Sequence, residues 1–403
     1  MANGGERKNM RKPGCLTQNQ LQVLHAALLK GEEDFSMLCD LEGCGPISRL
    51  EASFSDLAGT RFTLALSSGT AAIHAALLAA GVAHGDEVIV TSYSWPQSIS
   101  PVLYAGATPV FADINPDTFN LDPISVAERI SSKTRAIICV HLFGHIADMT
   151  ALQQIAENCD AVLIADCAHA IGARYRGMPA GAWGDMTCFS LGRGKLISGG
   201  EGGILATNDK VLYEKAICLT QHEDRTKRIW PASQRPEIFS LNYRMHPLAA
   251  ILALSDLDSM GQILEHRRKV FESFWEGLGS QDVLIPQWSL PQEEPVPYGI
   301  PFTIGNNRDR EKLILKAQQK SIPLRCGPVC APLHLRLRKS VGPQIHFHSS
   351  QLPGSCPSAE ERCARRELFL LSGLDMDGIS PDSAFSMGRI IRNELMADQE
   401  VRL

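Results

Sequence analysis

Ala161-Val162-Leu163-Ile164-Ala165-Asp166-Cys167-Ala168-His169 decides how the chain is read. Five apolar residues without polar alternation describe a strand buried on both faces, and the run stops on a carboxylate. Upstream of it the pattern alternates: helix at 149–158, strand at 136–140, helix at 123–130, strand at 108–112, helix at 96–105 and strand at 87–91. Short apolar strands separated by helices build a mainly parallel sheet covered on both faces, the α/β class. Nearer the N-terminus lie helices at 17–29 and 47–57 and a strand at 62–66. Ser67-Ser68-Gly69-Thr70 then opens an alanine-rich helix that runs to 80. Downstream, strands at 186–190 and 203–207 bracket a glycine-rich loop. One long helix is expected over 246–268, then a strand at 296–304, a helix at 308–320, an extended stretch at 323–332, a loop at 339–357 and a helix at 359–370. Residues 1–15 read as a loose tail.

Composition narrows the function before any motif is considered. A chain of 403 residues buries a sizeable core and suggests two domains. With 44% hydrophobic and 21% charged residues it is an ordinary globular sequence. A net charge of −5 makes no electrostatic case for nucleic acid or an anionic membrane as partner. The 12 cysteines do not form zinc-type pairs: Cys326 and Cys330 are four apart, and Cys139, Cys167, Cys188 and Cys218 sit in apolar runs as small hydrophobes. No metal-ligand pattern emerges. The absence of an apolar leader or of a stretch near the roughly 20 apolar residues of a membrane span, together with this cysteine usage, leads us to expect a cytoplasmic protein.

Ligands of open α/β sheets bind beyond the carboxyl ends of the strands, and four features fall there. Gly69 and Thr70 stand where a strand meets a helix, a junction that offers unpaired N–H groups and a positive dipole end to a phosphate. Trp95, just past the strand at 87–91, offers an indole face for stacking on an aromatic ring. Asp166 can hold a pyridine nitrogen protonated, and His169 lies three residues further on. Lys195, five positions after Ser190 and among glycines, can form a Schiff base with an aldehyde. Each has an ordinary reading when taken alone: a helix N-cap for Ser68 to Thr70 and for Asp166, a core or lid tryptophan, a structural histidine, a solvated loop lysine. Their order along the chain, phosphate cradle, aromatic, acid and lysine, points jointly to a pyridoxal-phosphate site.

Five stretches carry a family resemblance: Ala65-Leu66-Ser67-Ser68-Gly69-Thr70-Ala71-Ala72, Gly85-Asp86-Glu87-Val88-Ile89-Val90, Asp166-Cys167-Ala168-His169, Ser190 to Lys195, and Gly200-Glu201-Gly202-Gly203. Together they resemble the DegT/DnrJ/StrS aminotransferases, densely over residues 40–260 and thinly through Pro332-Leu333-His334. The resemblance implies a fold-type-I pyridoxal-phosphate transferase: a mainly parallel seven-stranded sheet with flanking helices, plus a smaller C-terminal α+β domain. It places a large cofactor-binding domain at 16–260 and the small domain at 261–403. It implies Lys195 as the Schiff-base lysine and Asp166 as partner of the ring nitrogen. Trp95 and His169 then flank the ring, and Gly69, Thr70 and Ser190 bind the phosphate. Asn242 resembles the asparagine that reaches the phosphate of a neighbouring subunit, which implies a homodimer with shared active sites.

Some members carry histidine in place of the lysine and act as dehydratases; Lys195 argues for amine transfer instead. The implied reaction moves an amino group from an amino acid, glutamate or glutamine, to a keto sugar or keto cyclitol. Elimination, dehydration or decarboxylation on the same cofactor, or a non-catalytic cofactor-binding regulator, are the alternatives. A nicotinamide-dependent dehydrogenase lacks its GxGxxG signature here. His222-Glu223 departs from the His-Gly of many members, and the C-terminal third diverges. Arg225, Arg244, Arg325 and His334 are candidates for a donor carboxylate or a substrate phosphate.

Overall fold

Neighbouring residues of the short apolar runs pack into different cores, which is why those runs are strands. Val88 and Val90 belong to one buried cluster and Ile89 to another; Ile138 and Val140 face the first cluster, Ile137 and Cys139 the second. The computed structural model describes residues 16–31, 38–280, 283–287, 289–305, 309–327, 329, 331–339 and 348–400. The expected tail at 1–15 and parts of the stretches expected at 308–320, 323–332 and 339–357 lie outside the described residues.

The chain begins with α1 (Gln18–Gly31), α2 (Gly45–Ala58), β1 (Phe62–Leu66), α3 (Gly69–Ala79), β2 (Glu87–Thr91), α4 (Ser100–Tyr104) and β3 (Thr108–Ala112). It continues with α5 (Pro123–Ala127), β4 (Thr134–Val140), α6 (Met149–Asn158), β5 (Val162–Asp166), β6 (Arg174–Tyr175), β7 (Met178–Pro179), β8 (Met186–Ser190) and β9 (Gly203–Thr207). Then come α7 (Lys210–Thr220), α8 (Glu223–Ile229), α9 (Pro247–Leu257), α10 (Met260–Leu278), β10 (Leu284–Pro286), β11 (Glu293–Glu294) and β12 (Gly299–Ile304). The last elements are α11 (Arg310–Gln319), α12 (Leu333–Leu337), α13 (Pro357–Glu361), β13 (Glu367–Ser372), α14 (Gly373–Asp377) and α15 (Pro381–Glu400).

Seven strands form the main sheet in the order β1-β9-β8-β5-β4-β2-β3. The pairs β2–β3, β2–β4, β4–β5 and β5–β8 are parallel, whereas β9 is antiparallel to both β8 and β1. Only β9 therefore opposes the common direction, and the carboxyl ends of β1, β2, β4, β5 and β8 open on one edge. This is the mainly parallel α/β sheet that the sequence leads one to expect. A third cluster, including Val270, Phe274, Phe302, Leu368 and Ile391, fills the space between α10, α15 and the antiparallel sheet β10-β12-β13.

Several local expectations are corrected. The helix expected over 246–268 is two helices, α9 and α10, separated at Asp258 and Ser259. Ser259 N–H bonds the Asp256 carbonyl at 3.0 Å, an i to i−3 turn, and short polar side chains there favour leaving the helix. The helix expected over 359–370 stops after one short segment. A wide turn at Arg362–Arg366 follows, and Glu367–Ser372 is the strand β13, paired antiparallel with β12. A short apolar run fits either state, and here pairing with a buried strand decides it. The helices at 96–105 and 123–130 are shorter than expected, and the strand at 296–304 is regular only from Gly299. Among the described residues no helix is long and apolar enough to cross a membrane. No group of three or more histidine, cysteine or acidic residues is placed there to hold a metal ion.

β13 is tied to the first half of the chain by a buried polar contact. Tyr93, just past β2, donates its hydroxyl to Glu367. The Arg362 guanidinium lies over the Phe119 ring at 3.2 Å and the Tyr93 ring at 5.2 Å, and donates to Thr303 Oγ1 at 2.7 Å. Burial pushes the Glu367 carboxyl up to about 7, against the pull of Arg362 and the Tyr93 hydrogen bond. The folded state therefore takes up a proton that the unfolded chain binds only near its ordinary value of 4.5. That contribution to stability is complete below the unfolded value and is lost as pH rises through about 7. Glu367→Gln removes the titration, so raising the pH from 6 to 8.5 should lower the thermal midpoint of the parent by a few degrees more than that of the variant. Parallel midpoints in a pH series of thermal melts would show that Glu367 does not carry this dependence.

Candidate active site

A cavity of about 250 Å³ opens at the carboxyl edge of the sheet, lined from the ends of β1, β2, β5 and β8. One end is a cradle of hydrogen-bond donors. Ser68 caps α3, its Oγ accepting from Ala71 N–H at 3.0 Å. The N–H groups of Gly69 and Thr70 are in the first turn and have no intrahelical acceptor. A Cβ on Gly69 would stand 2.8 Å from Ser190 Cβ, so only glycine brings this helix end against the Ser190 hydroxyl. Two N–H groups, two hydroxyls and a helix dipole thus converge where an anion would be held.

Across the cavity Asp166 ends β5 and is 4% exposed. Its Oδ2 accepts from Ser98 Oγ at 2.7 Å and its Oδ1 from Ala168 N–H at 3.0 Å. Burial pushes the Asp166 carboxyl above its ordinary range, while the Ser98 and Ala168 hydrogen bonds and the charge of Lys195 pull it down. Among the described residues this carboxylate has hydrogen bonds but no contacting cation, so a positively charged ring nitrogen would complete it. Trp95 and His169 form the aromatic wall, edge to face with ring centroids 4.7 Å apart. His169 Nδ1 accepts Phe143 N–H at 3.3 Å, which leaves Nε2 as the protonated nitrogen of a neutral ring. Burial holds the His169 pKa well below its ordinary value, and nearby Lys195 lowers it further.

Lys195 is half-buried, in a turn where its N–H bonds the Gly192 carbonyl at 3.2 Å. Its Nζ donates to the Tyr298 hydroxyl at 3.2 Å and sits 4.6 Å from the centre of that ring. Tyr298 in turn stacks on His169, with centroids 3.7 Å apart and planes at 12°.

Gly69, Thr70, Trp95, Asp166, His169, Ser190 and Lys195 all line this one cavity, together with Ser98, Glu201 and Tyr298. Asn242 is exposed and stands outside it. None of the four further candidates reaches the cavity of its own chain. Arg225 is buried and gives Nη2 to both oxygens of Glu51 at 2.8 Å, so it serves an internal ion pair. His334 is fully buried against Glu360 at 3.0 Å, and Arg325 lies over the Phe369 ring at 5.4 Å. Arg244 bridges its backbone to Leu66. His222, where the sequence departs from the family pattern, caps α8 by accepting Asp224 N–H at 3.2 Å. Ser98 and Tyr298 escaped sequence reasoning. Ser98 sits one short turn after Trp95, a spacing that carries the signal; Tyr298 lies among prolines in the divergent third, with no local signal.

An α/β sheet whose strand ends gather a lysine, a buried carboxylate and a helix N-terminus is the frame of a pyridoxal-phosphate-dependent transferase. The chain matches the DegT/DnrJ/EryC1/StrS aminotransferase family over residues 44–365 and belongs to it. It is 36% identical over 326 residues to the GDP-perosamine synthase of Caulobacter vibrioides, covering 78% of this chain and 86% of that protein. Over 190 residues it is 43% identical to the L-glutamine:scyllo-inosose aminotransferase of Streptomyces griseus, covering 47% of this chain and 44% of the other. Its fold is that of 3-amino-5-hydroxybenzoic acid synthase, with a TM-score of 0.81 at 23% identity over 97% of this chain and 99% of that one.

The burial of the Glu51–Arg225 pair makes a clear demand. Arg225→Ala strands a buried carboxylate, and denaturant unfolding should show a loss of about 3–5 kcal/mol. A loss below about 1 kcal/mol would mean that Arg225 is dispensable to the fold.

Proposed function

We propose that this enzyme binds pyridoxal phosphate in the 250 Å³ cavity and transfers an amino group from glutamate or glutamine to a keto sugar or keto cyclitol. The observation that supports this best is the buried Asp166 carboxylate, without a contacting cation among the described residues, in the cavity that also holds Lys195 and the α3 cradle. The residues present fit the cofactor group by group. Gly69, Thr70 and Ser190 match a phosphate ester, Asp166 a protonated ring nitrogen, and Trp95 the face of the ring. His169 matches the oxygen-bearing ring edge, and Lys195 the aldehyde. Bound there, pyridoxal phosphate supplies an aldehyde and a cationic ring that draws off the electron pair released at the carbon bearing the amine.

The side chains do the rest. Lys195 would hold the cofactor covalently through Nζ, and its amine, once released by the donor's, would be placed to accept the donor Cα proton and to deliver it to the carbon that had carried the lysine. Asp166 would keep the ring nitrogen charged from its buried position at the end of β5. Trp95 fixes the plane of the ring, and the neutral His169 keeps Nε2–H as a donor at its edge. Asn242, exposed in its own chain, is proposed to reach the phosphate held by a second copy, so that the working unit is a homodimer with shared sites. The donor and acceptor classes follow the names of the relatives, which include both a nucleotide-sugar enzyme and a cyclitol enzyme.

The test is a half-reaction screen: purified protein loaded with pyridoxal phosphate, mixed with single amino acids, and followed by the visible absorbance of the lysine-bound form. Glutamate or glutamine should bleach that band and leave pyridoxamine phosphate. Lys195→Ala should abolish both band and turnover, and a fully active variant would overturn the reading. Asp166→Ala should retain part of the cofactor while losing on the order of 100-fold or more in rate; unchanged turnover would remove Asp166 from its role.

A further inference from the structure

We infer that Tyr298 is a positioning residue, the fixed anchor that aims the freed Lys195 amine. This rests on the reading of Lys195 as the cofactor-bearing lysine. A lysine side chain carries about 2 kcal/mol of rotamer freedom, which a productive geometry has to suppress while its amine is detached. Lys195 Nζ donates a hydrogen bond to the Tyr298 hydroxyl at 3.2 Å. The amine retains an N–H whether it is neutral or has taken up a proton, so the same bond holds it in both states. No proton needs to pass to Tyr298.

The tyrosine qualifies as an anchor because it is held on several sides. Its ring lies flat on His169, 3.7 Å between centroids and 12° between planes. His169 is itself pinned through Nδ1 to Phe143 N–H at 3.3 Å. The backbone before Tyr298 forms a strap against the loop after β4: Val296 N–H bonds the Gly144 carbonyl at 3.1 Å, and Tyr298 N–H bonds the Phe143 carbonyl at 3.3 Å. A Cβ on Gly144 would run into the Val296 carbonyl oxygen, and Gly144 has φ +91, so glycine is required at this crossing. Phe143 is also left-handed, at φ +56, a conformation that survives only when its surroundings over-determine it. The strap, the stacked histidine and the strained phenylalanine together place one hydroxyl oxygen within reach of one amine.

Tyr298→Phe keeps the ring and its stacking and removes only the oxygen. Pyridoxal phosphate should still load with its visible band, and the donor KM should stay within about threefold. The rate of the half-reaction with glutamate or glutamine should fall on the order of 10- to 100-fold. Cofactor-free protein gives a readout independent of turnover: at fixed pH an amine-reactive acetylating reagent should label Lys195 several-fold faster in Y298F, as read by peptide mass spectrometry. Gly144→Ala, which keeps the tyrosine but shifts the strap that places its hydroxyl, should change rate and labelling in the same direction. If Y298F matches the parent in both rate and labelling, the anchor role is overturned. Loss of the visible band in Y298F also overturns it, since the hydroxyl would then serve loading. A visible band that persists in Lys195→Ala sinks the underlying assignment of Lys195 instead, so the two failures are told apart.

Discussion

One nearly buried carboxylate organises the cavity. Asp166 stands at the end of the central strand β5, paired on both sides by β4 and β8, so its backbone cannot drift. Removing a carboxylate from water is costly unless its oxygens find donors. Two donors are supplied, Ser98 from the turn after β2 and Ala168 from the residue pair beyond β5. Ser94 supports Ser98 from 3.1 Å away, joining the two ends of that turn. The positions of Trp95 and His169 follow from this arrangement: each lies three residues from a group that bonds or bears the carboxylate. The aromatic wall is thus a by-product of satisfying Asp166, and its geometry is inherited from that polar contact.

The ring stacked on His169 has a different origin. Tyr298 enters from a segment that follows β11 and precedes β12, outside the seven-stranded sheet. It is positioned by edge-to-edge backbone pairing with the loop after β4. The network of Tyr93, Glu367 and Arg362 likewise reaches from β13 to the stretch that carries Trp95. The C-terminal third, divergent in sequence, therefore supplies contacts to the site through backbone hydrogen bonds and buried charge more than through a recognisable motif.

How much of this was legible in the sequence depended on whether a signal was local. The seven strands of the main sheet are readable because each is a short apolar run closed by turn residues, and the cradle at Gly69 and Thr70 because a strand-to-helix junction announces itself; the two-residue strands β6 and β7 carry no such signal. The sequence suggests one helix over 359–370, because the mostly apolar run from Glu367 has no period of its own and only the partner β12 makes Glu367–Ser372 a strand. The break at Asp258 and Ser259 hides inside an otherwise continuous helical pattern. Arg225 reads as a free cation until Glu51, which is 174 positions away, is brought to it. Tyr298 belongs to the same group: its role depends on a strap whose partner loop lies far back in the chain.

The strand order also says something about how the molecule comes into being. β1 is made before every other strand of the main sheet, yet at the edge of the sheet its partner is β9, with Phe62 opposite Thr207. The anion cradle at the start of α3 thus has no sheet neighbour until β9 has been made. Tyr93 then waits for Glu367, 274 positions later. Such long-range closures are slow, because loop entropy must be overcome before contacts reward it. During synthesis the apolar edge of β1 and its alanine-rich helix stay uncovered, and the aromatic wall stays untied. The cradle at the start of α3 is therefore among the late parts of the sheet edge to close.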